Sequence, residues 1–477
     1  MQRNNRIKPR ISLLNQDLIH RIHDYSLRIL SSVGIRVISE RARQLFVRAC
    51  NPETVEGELV RMPPELVEWA LEAAPSSVDV YDRNGSPAFH LPGRARFGIG
   101  ATDLYFQDPE TDEIVPFTRK HMKVSARLGH SLPSFDVIST MGILQDISPD
   151  VSDMYSTLEM TANTTKPIII LISNEELFTG VLDLLEHLHG GLAERPFVIP
   201  YFNPITPLVM NTGTIDKMWT AIERGLPVIY SNYGMAGATT PIRAAGVLSL
   251  LNAELLAGLT LGQLIREGTP MILGSLPACF DMKGKGSFYD PKSYLLDLAC
   301  AEMMAHYGMP HAGTSGSGQG WRGDLIASGH QWMNHLISCM GKVGLAPFVG
   351  DNLGSLVFSP SVVVLANDII EQARLFTEGF IVDEEALGLE EIARIGPGGN
   401  FLSSDTTLRL CREAHYQSPI FEKMNLEEWQ EKGSPQAEDL LRNHTLKLMN
   451  KAKPPEDYAD LVARGEAFIK DYVGRSK

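Results

Sequence analysis

Aromatic side chains gather where short β-prone runs give way to loops. Tyr105 and Phe106 lie in "GATDLYFQ", Tyr201 and Phe202 in "YFNP", Tyr233 in "YSNYGMAGATTP" and Trp321 in "GTSGSGQGWRGD". If these loops share one end of a sheet the rings converge, and ring faces attract a diffuse, weakly hydrated cation such as a quaternary ammonium. Core or lid packing is the other use open to each ring. Arg322, beside Trp321, offers a planar guanidinium that can clamp a carboxylate, unless it is a surface charge. His311 ends the run "MPHAGT" and can donate a hydrogen bond to a substrate or sit satisfied in a core. Asp351 and Asn352, in "VGDNLGS", put an acid and an amide at a further strand end.

Other chemistries find less support. His187 and His189 face different sides of a helix, and His330 and His335 are five apart rather than the four that chelate, so zinc is not expected. The stretch "GTSGSGQG" holds Ser315 and Ser317 among glycines without completing a nucleophile elbow. Paired carboxylates for glycoside chemistry have no specific support. The glycines of "ARIGPGGNFLSSDTTLR" follow an acidic helical run instead of a strand and lack a Gly-Lys-Ser/Thr sequence. They are expected to stop one helix before another is capped by Ser403, Ser404 or Asp405.

The scaffold follows from rhythm. From about residue 94, eight β-prone runs alternate with helical segments: "RFGIG", "FDVIST", "PIIILI", "FVIPYF", "PVIYSN", "PMILGS", "MPHAGT" and "APFVGD". Eight strand–helix units predict an α/β chain with a (β/α)8 TIM barrel, the doubly wound open sheet being the alternative. Residues 1–93 read as an N-terminal α-rich lobe, 94–360 as the barrel with its site at the mouth, and 361–477 as a C-terminal helical extension. The segment "GVLSLLNAELLAGLTLGQLIREG" suits a helix pressed between barrel and outer lobe.

Bulk composition bounds the partners. Formal charge is −14, although residues 1–48 carry ten Lys/Arg against three Asp/Glu. That basic end lacks aromatic interleaving or a nucleic-acid motif, and the acidic body repels phosphate backbones while mildly favouring cationic ligands. Five scattered cysteines without a C-x-x-C fit reduced thiols in a cytoplasm. No secretory signal or membrane span of about 18 apolar residues is expected, and homo-oligomers are the usual expectation for an enzyme of this size.

Taken in order, "NPITPLVMN", "YGMAGATTPIRAAGVLSLLNAELLAGLTLGQL" and "GPGGNFLSSDTTLR" resemble the trimethylamine methyltransferase superfamily, and "LRILSSVGIRVISERA" and "YFQDPETDEIVPFTRKHM" resemble its N-terminal region. The resemblance covers nearly the whole chain and makes the glycine stretch a family landmark. It implies a (β/α)8 enzyme that moves a methyl group from an amine to the cobalt of a corrinoid (cobalamin) carried by a separate small protein. Founding members place pyrrolysine in the loop corresponding to "VGDNLGSLVFSP"; this chain has standard residues there. The non-pyrrolysine branch uses quaternary amines, with glycine betaine the leading example. On that footing Tyr105, Phe106, Tyr201, Phe202, Tyr233 and Trp321 are expected to face the ammonium, Arg322 and His311 its carboxylate, and Asp351 and Asn352 to orient it. Asn252 and Glu254 face the pocket or pack a helix. A non-catalytic paralogue that binds betaine or docks the corrinoid protein is the competing expectation, an unrelated lyase or hydrolase barrel the third.

Overall fold

A computed structural model describes residues 5–475 apart from Ala101, Lys285 and 314–317. Ser315 and Ser317 therefore lie outside the described residues. Three helices come first: α1 (Gln16–Arg28), α2 (Glu40–Ala49) and α3 (Pro64–Ala73). Asn15 caps α1 through the Leu18 N–H, Gly34 ends the following π turn at φ +82°, and Pro64 opens α3 in its first turn.

The centre is a curled eight-stranded sheet. Its members in chain order are β1 (Arg96–Ile99), β2 (Val137–Ser139), β3 (Ile168–Ile170), β4 (Val198–Phe202), β5 (Val228–Ala236), β6 (Met271–Asp281), β7 (Gly286–Phe288) and β8 (Leu345–Val349). Their spatial order is β7-β6-β5-β4-β3-β2-β1-β8. All neighbours are parallel except β7, which folds back antiparallel on β6. Between β6 and β8, His311 bridges Leu273 and Ala312 bridges Leu345. All eight β-prone runs of the sequence thus lie in the sheet or its bridging segment, giving a mixed α/β, barrel-like fold. A β-carbon on Gly274 would lie 1.4 Å from the Ala312 carbonyl oxygen, so glycine is what admits this segment beside β6.

Each unit is followed by a helix: α4 (Arg119–Ser131), α5 (Ser152–Asn163), α6 (Phe178–His189), α7 (Thr212–Glu223), α8 (Ala244–Ile265), α9 (Pro291–His306), α10 (Leu325–Met340) and α11 (Pro360–Glu378). Strands covered on both faces are apolar nearly throughout, which is why "PIIILI" shows no alternation. The lumen is filled by Val137, Ile169, Ile199, Ile229, Ile272 and Leu345, and by Val80, Phe89 and Leu91 of an antiparallel hairpin. By length and composition α8 could cross a membrane, yet it is mostly buried, packed on α1, α3 and β5.

The C-terminal segment is largely helical. Its glycines end the helix Leu389–Ile395, with Gly396 and Gly398 at positive φ, and Ser404 caps the next through the Thr407 N–H. The last helix, Tyr458–Arg475, lies against α5 and α6. Arg119 joins Glu159 of α5 to Glu466 of that helix.

Candidate functional site

Along a strand, neighbouring side chains point to opposite faces, and this decides which rings reach the lumen. In β4, Tyr201 points inward and Phe202 outward, where it meets Phe178 with centroids 5.7 Å apart. In β5, Tyr233 faces the mouth; Tyr230 and Asn232 face α8. Tyr230 lies so close to α8 that a β-carbon on Gly258 would come within 2.0 Å of its ring.

At the C-terminal ends of the strands a cavity of about 310 Å³ opens. Tyr201, Tyr233, Tyr289 and Phe348 supply rings; Leu171 and Leu276 add apolar surface; Thr102, Asn203, Ser287, Gly354 and Ser355 complete the wall. Tyr201 and Phe348 meet edge to face at 5.1 Å and 75°, forming a corner above the packed lumen. Burial pushes the Tyr201 and Tyr233 phenols above their ordinary range, so both stay neutral. None of the described lining residues is Arg, Lys or His. Thr102, Leu353 and Ser355 hold φ between +51° and +61°, a region costly for side chains with a β-carbon, and Thr102 and Ser355 belong to the wall.

Behind that wall two carboxyls are buried. Asp103 follows Thr102 and Asp351 opens the loop carrying Ser355; both are at most 1% exposed and make no regular hydrogen bond to a described residue. Burial pushes Asp351 up to about 6, against the pull of the Ser355 hydroxyl and the Gly318 N–H. Burial raises Asp103 further, and the Asp351 charge adds to it. Two like carboxyls in a dry site do not both ionise, so the pair carries about one negative charge near neutral pH.

A second network lies between β5 and α8. Buried Glu254 accepts hydrogen bonds from the Thr206 hydroxyl at 2.8 Å, the Leu208 N–H at 2.6 Å and the Asn232 amide at 2.8 Å. The Ser275 hydroxyl donates to Asn232 Oδ1 at 2.6 Å. Burial pushes Glu254 up to about 7. Glu254 thus braces Asn232, the residue before Tyr233. Asn252 faces away, donating to Ser26 and Tyr307.

Of the residues expected from sequence, the cavity brings together Tyr201 and Tyr233, with Asp351 close behind. Phe106 stacks on His121 at 4.1 Å within a separate Phe117–Phe358 cluster, and Tyr105 is exposed beside it. Asn352 donates to Gln107, whose amide donates to the Trp321 carbonyl; the Trp321 ring is 67% exposed. Arg322 is half exposed and paired with Asp112 and Glu438. His311 is buried, held neutral at about 3, and lines a groove at the N-terminal end of the strands. Sequence position singles out neither Tyr289 nor Phe348, while Asp103 stands at a strand end in "GATDLYFQ". Strand parity alone does not find Phe348, because the β8–β1 register shifts between Ala346 and Val349 and turns it inward.

Among the described residues no group of three His, Cys, Asp or Glu gathers to hold a metal. At about 310 Å³ the cavity has room for a small molecule.

Comparison with known proteins places this mouth in a family. The chain is 26% identical over 480 residues to the glycine betaine methyltransferase of Desulfitobacterium hafniense, covering 97% of each chain. It is also 26% identical to the trimethylamine methyltransferase MttB of Desulfitobacterium hafniense, covering 86% of this chain and 84% of that one. Among solved structures, the monomethylamine methyltransferase MtmB of Methanosarcina barkeri superposes with a TM-score of 0.52 at 9% identity, over 93% of this chain and 89% of that one, a likeness of fold. The family model for trimethylamine methyltransferase (MTTB) matches residues 1–477. The chain belongs to the trimethylamine methyltransferase family.

Proposed function

We propose that this chain transfers a methyl group from a quaternary amine, held in the ring-walled mouth, to a corrinoid carried by a separate protein, releasing a tertiary amine. Glycine betaine yielding dimethylglycine is the example its relative's name suggests. The observation that carries the reading is the cavity itself: four rings at one mouth, no described cationic lining residue, and a buried acid pair behind the wall. We also read the sheet as a (β/α)8 barrel with His311–Ala312 as its seventh strand, supported by the bridges to Leu273 and Leu345.

When it meets the rim, the corrinoid supplies a cobalt(I) nucleophile. The C–N bond breaks with its electron pair kept by nitrogen, so the leaving amine is neutral and this chain need donate no proton. Its own task is placement. Tyr201, Tyr233, Tyr289 and Phe348 hold the ammonium head while one methyl faces the open rim, and the packed lumen below denies water a route from beneath. Rings bind the charged substrate better than the neutral product, which favours release.

Incubation with cob(I)alamin and a panel of quaternary amines tests the reading by tertiary-amine release; tight binding without turnover would support the binding-only paralogue. Tyr201→Leu retains bulk and removes a ring face. The KM for the amine is expected to rise about tenfold, within the range for a desolvated cation–π contact, with little change in kcat. An unchanged KM in the folded variant takes Tyr201 out of the cage.

A further inference from the structure

The proposed transfer leaves open which quaternary amine fits, and the charges around the cavity bear on that choice. The polar groups on its wall are Thr102, Asn203, Ser287 and Ser355 with the phenols of Tyr201, Tyr233 and Tyr289, and none carries a positive charge. Behind Thr102 and Ser355 lie Asp103 and Asp351, fully buried and without regular hydrogen bonds to described residues. Arg322, the carboxylate clamp expected from sequence, is engaged by Asp112 and Glu438. His311 opens toward the other end of the strands. A carboxylate brought into this cavity would leave water, find no described cation and approach an acid pair across a low-dielectric wall. An ammonium meets the opposite situation, with ring faces in front and net negative charge behind.

Resting on the proposed transfer, we infer that the amine accepted here is a quaternary ammonium whose fourth substituent is uncharged, a hydroxyalkyl or plain alkyl group, and that the Asp103–Asp351 pair selects against carboxylated betaines. A hydroxyl on that substituent has partners in Asn203, Ser287 and Ser355. Lys285 lies outside the described residues, and its removal enters the test.

Calorimetry on the full-length protein with choline, tetramethylammonium and glycine betaine reads the preference directly, alongside methyl transfer to cob(I)alamin from each. Choline and tetramethylammonium are expected to bind at least about tenfold more tightly than glycine betaine, the scale of a single partly desolvated charge contact. Glycine betaine binding as tightly as choline overturns the inference, as does a Lys285→Ala variant that loses betaine binding alone. Asp351→Asn, folded as judged by circular dichroism, is expected to shrink the preference to about threefold or less; an undiminished preference overturns the role given to the pair. The two proposals fail separately. The expected binding order without turnover of any amine ends the transfer reading and leaves the ligand class standing, whereas turnover with glycine betaine preferred over choline does the reverse.

Discussion

Glu254→Ala is expected to lower the stability of the protein by about 4 kcal/mol, read as a reduced urea midpoint, and to impair activity beyond that loss. The carboxylate accepts three hydrogen bonds in a buried site, from Thr206, Leu208 and Asn232. Truncation strands the Leu208 N–H and the Asn232 amide, and each buried donor left without an acceptor costs about 1–3 kcal/mol. Asn232 then keeps only its bonds to Leu251 and Ser275, and the adjoining Tyr233 loses part of what fixes it at the mouth. pH gives the same residue a second signature. Burial holds Glu254 at about 7, above its value of about 4.3 in an unfolded chain. The native state therefore binds more protons between those values, so the stabilisation from protonated Glu254 is complete below about pH 4 and is lost as pH rises through 7. The wild type should be more stable at pH 5 than at pH 8 by on the order of 3 kcal/mol from this group. Asp103, Asp153 and Asp351 are raised by burial too and give slopes of the same sign, so the measurement is the difference between wild type and Glu254→Gln. Equal pH slopes in the two proteins would deny Glu254 its raised affinity for a proton.

The fold was legible because its signal is repetition. Runs such as "PIIILI" and "PVIYSN", separated by whole helices, declare parallel strands covered on both faces, and each lies where a strand or bridging segment stands. The mouth was legible only in part, because type and loop position do not say which way a ring points. Tyr201 and Phe202 are equal candidates by composition, and one residue of parity sends the second into the helix layer. The four-stranded sheet of Tyr105–Gln107, Ile114–Pro116, Asp351–Asn352 and Val357–Phe358 carries Phe106 into its own cluster. Arg322 looked like a clamp beside Trp321, but its partners come from residues 112 and 438, a pairing that no local pattern announces. Asp103 and Asp351 are 248 positions apart; their pairing needs the curl of the sheet that sets β1 beside β8.

That acid pair makes the sharper kinetic prediction: kcat/KM for a quaternary amine should fall on the acid side, with an apparent pKa near 6, and level off at a lower plateau once Asp351 is protonated. The substrate cannot be the source, since a quaternary nitrogen carries no proton. Two groups titrate over this range, Asp351 at about 6 behind the wall and Glu254 at about 7 beneath Asn232, and only Asp351 adjoins the wall residue Ser355. Asp103 stays protonated, raised by burial and by the Asp351 charge, while the Tyr201 and Tyr233 phenols are held neutral by burial, and no described lining residue is His, Lys or Arg. As pH falls through about 6 Asp351 takes a proton, the negative charge behind the wall disappears, and the ring cage alone holds the cation. A bound ammonium favours the ionised acid, so the limb in kcat should lie at lower pH than the limb in kcat/KM. Asp103→Asn removes the neighbour that is already neutral and should leave the limb in place. Asp351→Asn should displace it, because any step that remains then belongs to Asp103, which burial raises further than Asp351. A profile that stays level from pH 5 to 8 in the wild type would show that the negative charge behind Thr102 and Ser355 does not reach the bound cation.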